Sequence, residues 1–187
     1  MSKNRCAWCG DDPLYVAYHD KEWGVPVYED RKLFEFLILE TFQAGLSWIT
    51  VLRKRENFRK AFNQFDYNKV AGYNEDKIAA LLDDAGIIRN KLKVRAAVTN
   101  ARAFKKVQEE FGSFSSYIWG FVDGKPIRNS FGSHSEIPAN TPLSDRISAD
   151  LKKRGFKFVG TTVVYAHMQA TGMVNDHVTH CFRYTEV

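Results

Sequence analysis

Apolar residues in this chain recur at helical spacing along its length and hardly anywhere alternate, which excludes a core built on sheets. Residues 30–44 show this most strongly. Leu33, Phe36, Leu37 and Ala44 fall on one face, with Asp30 placed to cap a helix and Gly45 to end it. Further helices are expected over 47–62, from Asn74 to Gly86, over 91–111 and over 114–121. Residues 122–142, rich in Gly, Ser, Asn and Pro, read as one long loop. After it, Thr141 or Ser144 caps a helix ending at Gly155, a hairpin spans 155–160, and Thr161 or Thr162 starts a helix through Ala170. The expected fold is an all-α bundle, a single domain over residues 1–187. Hydrophobic residues make up 44% and charged residues 26%, which excludes disorder and coiled coil. No apolar run approaches the ~20 residues of a membrane span. The first six residues lack the apolar core of a signal peptide, so a cytoplasmic protein is expected, with no membrane partner.

The chain carries 27 Lys and Arg against 22 Asp and Glu, a net charge of +5. The total says less than its distribution. Between Ile87 and Lys106 stand Arg89, Lys91, Lys93, Arg95, Arg102, Lys105 and Lys106 with no acidic residue. Such a run is ordinarily a solvated helix face. The second cluster, Lys152, Lys153, Arg154 and Lys157, surrounds the hairpin flanked by Gly155 and Gly160. A helix starting at Thr161 would turn backbone N–H groups and a partial positive charge toward that hairpin, which suits a phosphate. These contacts would hold a nucleic-acid strand without reading its sequence.

Glu40 falls in the middle of the apolar face of the 30–44 helix. A buried acid is ordinarily paired. The alternative is a carboxylate aimed into a pocket, and the aromatics favour it: Trp8, Tyr15, Tyr18, Trp23 and Trp48 all lie in the first 48 residues. Aromatic residues of this kind either pack a core or stack on a flat ligand. A flat, hydrogen-bonding ligand held near a polyanion is a nucleobase.

The three cysteines are Cys6, Cys9 and Cys181, all near the two ends of the chain. So odd and sparse a count argues against a disulfide framework. Histidines stand beside them: His19 after the first pair, His177 and His180 before Cys181. Tetrahedral zinc takes Cys and His in pairs of short spacing. His177-x3-Cys181 is such a pair, on or near a helix, and Cys6 with His19 completes a set of four. Cys9 and His180 are further candidates, and spacing alone does not choose among them. One metal would tie the two ends together.

Residues 12–20, 22–26, 43–52, 155–162 and 175–178 together resemble the bacterial DNA-3-methyladenine glycosylase I family, in matching blocks that run from Arg5 to about Cys181. The resemblance implies a helix-hairpin-helix glycosylase fold, with that element at about 144–171. It implies an enzyme that flips 3-methyladenine out of alkylated double-stranded DNA and hydrolyses its N-glycosidic bond. The family's pattern places the structural Zn2+ on Cys6, His19, His177 and Cys181. It makes Glu40 the catalytic carboxylate and Trp8, Tyr15, Tyr18 and Trp48 the base-binding aromatics. Gly45 and Leu46 match the loop that fills the gap in the duplex. Lys153, Gly155, Lys157, Gly160 and Thr161 fall in the DNA-gripping hairpin. No lysine stands where bifunctional relatives carry one, Thr161 and Thr162 occupying that stretch, so a monofunctional enzyme is implied. The pattern departs at Thr41 and Phe42, where the family has Gly and often a polar residue. An altered contact with the opposite strand is therefore expected at Phe42. A monomer is expected.

Overall fold

The computed structural model describes residues 3–187. Among them the chain forms α1 (Pro13–Lys21), α2 (Asp30–Gln43), α3 (Trp48–Ala61), α4 (Tyr67–Ala71), α5 (Glu75–Asp83) and α6 (Lys91–Phe111). α7 (Phe114–Trp119), α8 (Pro142–Lys153) and α9 (Thr161–Ala170) complete the helices. The one sheet among the described residues is a pair of two-residue parallel strands, β1 (Ile127–Arg128) and β2 (Val174–Asn175). The all-α expectation stands, and no helix among the described residues is long and apolar enough to cross a membrane.

α2 is the axle of the fold. Leu33 through Phe42 are buried without interruption, and α3, α6, α7 and α9 all pack against the helix. A helix buried on every side is a core helix, so the single apolar face expected for 30–44 is corrected to burial all round. Phe34, Phe104 and Phe114 stack into the interior on one side. Phe42, Phe58 and Phe62 fill the other. Each such ring removed from water contributes about 1.5–3 kcal/mol.

The cap of α2 is Glu29, whose carboxylate accepts from the backbone N–H groups of Arg31 and Lys32. Asp30 instead reaches across the fold, accepting from the N–H groups of Phe114 and Ser115 and from Gln108. It caps α7 rather than its own helix. Two helices were not expected, α1 and α4. Asp12 followed by Pro13 is a strong start signal for α1, and the Asp12 side chain does accept from Leu14 and Tyr15. Asp66 caps α4 in the same way. The stretch 122–142 is largely irregular, but it is not a free loop. β1 lies beside β2, and Phe131 accepts from the Thr179 N–H at 2.9 Å, so the segment is fastened to the C-terminal strand.

Candidate functional site

α1 and the preceding 3-10 turn (Ala7–Cys9) carry two functions within a few residues of each other. Tyr15 and Tyr18 on α1 face a cavity of about 260 Å³, and Trp8 on the turn joins them. Trp48, the first residue of α3, closes a third side, with Tyr18 and Trp48 ring centroids 5.5 Å apart. α2 brings Glu40 to the floor. All four aromatic residues expected in the pocket are there, together with Glu40. The sequence reading missed Gln43, Ala166 and Gln169, and His134 and Ile137 from the 122–142 segment, which also line it. Trp23, noted among the early aromatics but given no role, lines it too.

Three buried polar atoms of this cavity are unmatched. Glu40 Oε2 and the indole nitrogens of Trp8 and Trp48 are buried and have no hydrogen-bond partner among the described residues. Buried polar groups are nearly always satisfied, so three in one cavity mark a place that takes a polar ligand. Burial alone pushes the Glu40 carboxyl up to about 8, since the low-dielectric surroundings disfavour its charged form. The neighbouring Tyr18 hydroxyl is pushed up for the same reason. A flat ligand with donors on its edge and positive charge in its ring suits such walls.

The four expected metal ligands converge behind the aromatic wall. Cys6, His19, His177 and Cys181 are all buried, and their ligand atoms lie within 4.8 Å of one another. Cys6 Sγ is 3.5 Å from His177 Nδ1, and Cys181 Sγ is 3.5 Å from His19 Nε2 and 3.6 Å from His177 Nδ1. A tetrahedron with Zn–S near 2.3 Å and Zn–N near 2.05 Å has an S···N edge of about 3.55 Å. These spacings are the edges of a metal site, and the donor set fits zinc. The far ring nitrogens are also held: His19 Nδ1 by Asp20 at 2.8 Å, His177 Nε2 by the Trp23 carbonyl at 3.0 Å. Arg5 in turn grips Asp20 with three contacts of 2.7–3.1 Å and, with His19, holds that carboxyl down at about 2. Such partners fix which ring nitrogen is offered to a metal. Gly24 keeps the space open, since a Cβ there would stand 3.0 Å from His177 Nε2. Cys9 donates its thiol to the Cys6 carbonyl and His180 is exposed, so neither joins the cluster. His177 and Cys181 lie on an irregular segment after β2, not on a helix as the i, i+4 spacing had suggested.

The cluster and the cavity share a wall. Trp8 lies 5.3 Å from the His19 ring and 5.0 Å from Trp23, and Trp23 lies 4.6 Å from the His177 ring.

Two exposed features flank the cavity. At the end of α2 the chain turns through Gly45, at φ +83°, and Leu46 stands 42% exposed. Lys93 anchors this turn from α6, its Nζ donating to the carbonyls of Phe42 at 3.0 Å and Ala44 at 2.7 Å. The basic run over 89–106 is thereby partly committed inside the protein. Lys93 is buried, Arg95 pairs with Glu75, and Arg102 donates to the Ala71 carbonyl. Phe42, expected to meet the opposite strand, is fully buried against Phe58 and Phe62. That expectation is corrected: an aromatic ring at this position completes the core and reaches no partner.

The hairpin between α8 and α9 is rigidly built. Thr141 and Ser144 form a capping box, so both expected caps act together. Phe156 and Val159 are buried, while Lys153, Lys157 and Phe158 are exposed. Asn100 accepts from the Lys157 N–H at 2.7 Å and donates to its carbonyl at 3.0 Å. Gly155 takes φ +92°, a conformation that favours glycine. Gly160 caps α9 with no side chain, leaving the first-turn N–H groups toward the surface, while Thr161 Oγ1 lies 2.8 Å from Ser144 Oγ. Arg154 is spent on Glu110 and Asp150, so it does not join the free cations of the hairpin.

A family model described as methyladenine glycosylase matches residues 8–184. The chain is 53% identical to DNA-3-methyladenine glycosylase 1 of Escherichia coli (strain K12), over 96% of each chain. It is 47% identical to DNA-3-methyladenine glycosylase of Haemophilus influenzae, over 95% of this chain and 96% of the other. It is similar to a crystal structure of a 3-methyladenine DNA glycosylase I variant in complex with 3-methyladenine, at a TM-score of 0.93 and 36% identity, covering 96% of each chain. With that agreement over nearly its whole length, the chain belongs to the methyladenine glycosylase family.

Proposed function

We propose that this protein is a DNA repair enzyme that excises 3-methyladenine from alkylated double-stranded DNA, a hydrolase of N-glycosyl bonds that leaves an abasic site. The observation that carries the reading is Glu40, an unpartnered carboxyl on the floor of an aromatic cavity about 260 Å³ in size. The relatives' names and the bound 3-methyladenine of a similar structure point the same way.

The target base is out of reach inside a duplex and must be flipped, at a cost of a few kcal/mol. Leu46, on the Gly45 turn that Lys93 anchors, fills the vacated stack. Lys153 and Lys157, with the backbone N–H groups from Gly155 to Thr161, hold the phosphates. In the cavity Trp8, Tyr15, Tyr18 and Trp48 enclose the faces of the base, and Glu40 accepts from its exocyclic amine. The methylated nucleoside is a cation. Its charge replaces the solvation that Glu40 lacks, so the carboxyl releases its proton to water as the base enters. Neutral adenine offers no such compensation, and a buried carboxylate beside it stays costly. When the bond from N9 to C1′ breaks, the electron pair goes to the base, which leaves neutral. A water oxygen bonds to C1′ and gives up a proton to solvent. Because the leaving group is already activated, the step needs no second acid or base. With Thr161 and Thr162 in place of a lysine, no imine to the sugar forms and the strand stays unnicked.

Cys6, His19, His177 and Cys181 would hold one Zn2+, which with four protein ligands supplies structure and no open coordination position. Held in place, His19 and His177 would in turn position Trp8 and Trp23 through their ring contacts. Elemental analysis is expected to give about one zinc per chain, and its removal to lower the melting temperature and disturb tryptophan fluorescence. A protein without metal at full stability would overturn that assignment. The protein acts as a monomer, and the cytoplasm suits its three unpaired thiols. The deciding experiment is incubation with methylated DNA and chromatography of the released bases. Free 3-methyladenine with intact strands is expected; no released base would overturn the reading.

A further inference from the structure

α9 contributes one polar side chain to the cavity wall, Gln169, and that side chain is held from behind. Its Nε2 donates to Asp176 Oδ2 at 2.8 Å. Asp176 is 1% exposed and also accepts from the Tyr165 hydroxyl at 2.7 Å and from Asn129 Nδ2 at 2.6 Å. Three donors converge on one buried carboxyl, and no cationic side chain is among its partners. An acceptor of this kind dictates the orientation of the amide it meets, nitrogen toward Asp176 and oxygen away. Gln169 Oε1 then has no hydrogen-bond partner among the described residues, on a side chain that lines the cavity. The backbone beneath it is equally fixed, since the Gln169 carbonyl accepts from the Gly24 N–H at 3.1 Å.

We infer that Gln169 is a base-recognition residue whose amide oxygen, turned into the cavity by Asp176, accepts a hydrogen bond from the exocyclic amine of the flipped base. The inference rests on the function proposed above. Adenine methylated at N3 and bonded to sugar at N9 has N–H donors at one group only, the amine on C6. That amine has two hydrogens. Glu40 takes one, and a fixed acceptor on another wall of the cavity takes the second. A base with an oxo group at C6 presents an acceptor instead, which the protonated Glu40 carboxyl can meet but the Gln169 oxygen cannot. Asp176 is the positioning residue: it never meets the base, but it decides which end of the Gln169 amide does. Asn129 and Tyr165 complete its shell, linking the orientation to the strand pair β1 and β2.

Quenching of the three cavity tryptophans by free 3-methyladenine and by 3-methylhypoxanthine reads this selectivity directly. The unaltered protein is expected to prefer 3-methyladenine. Gln169→Met keeps the side-chain length without the acceptor. It is expected to lose about tenfold in affinity for 3-methyladenine, the worth of one hydrogen bond, with 3-methylhypoxanthine unchanged. Asp176→Asn can present an N–H to Gln169, whose amide then turns its own N–H2 into the cavity. The preference ratio is expected to swing toward the 6-oxo base, a change that loss of packing alone would not produce. If Asp176→Asn does not fold, Gln169→Met decides by itself. A wild-type ratio in Gln169→Met overturns the inference and leaves the proposed function standing. Failure of the unaltered protein to bind 3-methyladenine overturns both.

Discussion

Glu35 and Glu40 stand on the same helix, about 140° apart around its axis, and both are buried. Glu35 meets Arg55 at 2.6 Å and Arg59 at 2.7 Å, and Arg55 is further held by Glu22 at 2.9 Å. Glu40 forms no ion pair among the described residues, and its Oε2 is left without a hydrogen-bond partner. One carboxylate is part of the scaffold and the other is a cost the scaffold carries. The difference separates a stabilising acid from a functional one without reference to any relative, because folding alone gives no reason to bury an acid beside an unfilled cavity.

Removing the paired acid should break the molecule first. Glu35→Leu leaves Arg55 with Glu22 alone and strands part of a buried guanidinium, so a loss of about 3 kcal/mol is expected in urea unfolding. Base release per folded molecule should not change. A large activity loss at unchanged stability would mean that Glu35, too, serves the cavity.

The unpaired acid should behave in the opposite way. Glu40→Gln is expected to lower release of 3-methyladenine by about 10- to 100-fold, the range for one hydrogen bond to a charged group. Its stability should not fall, and pH sharpens the test. The Glu40 carboxyl rises from an ordinary 4.5 to about 8 on folding. A raised folded value means that the stability it contributes is complete below about 4.5 and is lost as pH climbs toward about 8. The slope reaches at most about 1.4 kcal/mol per pH unit. Glu40→Gln removes that slope, so its melting temperature should overtake the wild type progressively between those limits. Parallel curves for the two proteins would show that Glu40 is satisfied after all.

Why the two acids could not be told apart by pattern is a matter of range. Periodicity located α2 and most of its neighbours, because helical spacing is local. It could not show that the helix is buried all round, nor that Arg55 and Arg59 come from the next helix to meet Glu35. The cavity was legible in its N-terminal half, where Trp8, Tyr15, Tyr18 and Trp48 crowd a short stretch. Gln169, His134 and Ile137 enter from more than eighty residues further along the chain, by the α9 helix and the strapped 122–142 segment, and no short-range signal marks them. Lys93 sat in a basic run that reads as a solvated face, yet it caps the end of α2. The metal set needed a family pattern to exclude Cys9 and His180. The fold excludes them by geometry, one facing a carbonyl and the other water.

The same contrast of committed and free charge recurs, with smaller consequences, in the cations of the hairpin. Arg154 is fixed by Glu110 and Asp150, whereas Lys157 is exposed and makes no ion pair among the described residues. Its backbone is nevertheless held by Asn100, so the free charge sits on a rigid mount. Lys157→Ala should leave the melting temperature unaltered and weaken binding to duplex DNA of any sequence. The plot of log affinity against log salt should flatten by about 1, the value for one lost phosphate contact. Arg154→Ala should do the reverse, reducing stability modestly because its pairs are part-exposed, and leaving the salt slope where it was. Equal slopes in Lys157→Ala and the wild type would remove this lysine from the DNA-binding surface, and the grip on phosphate would then fall to Lys153 and the uncapped first turn of α9.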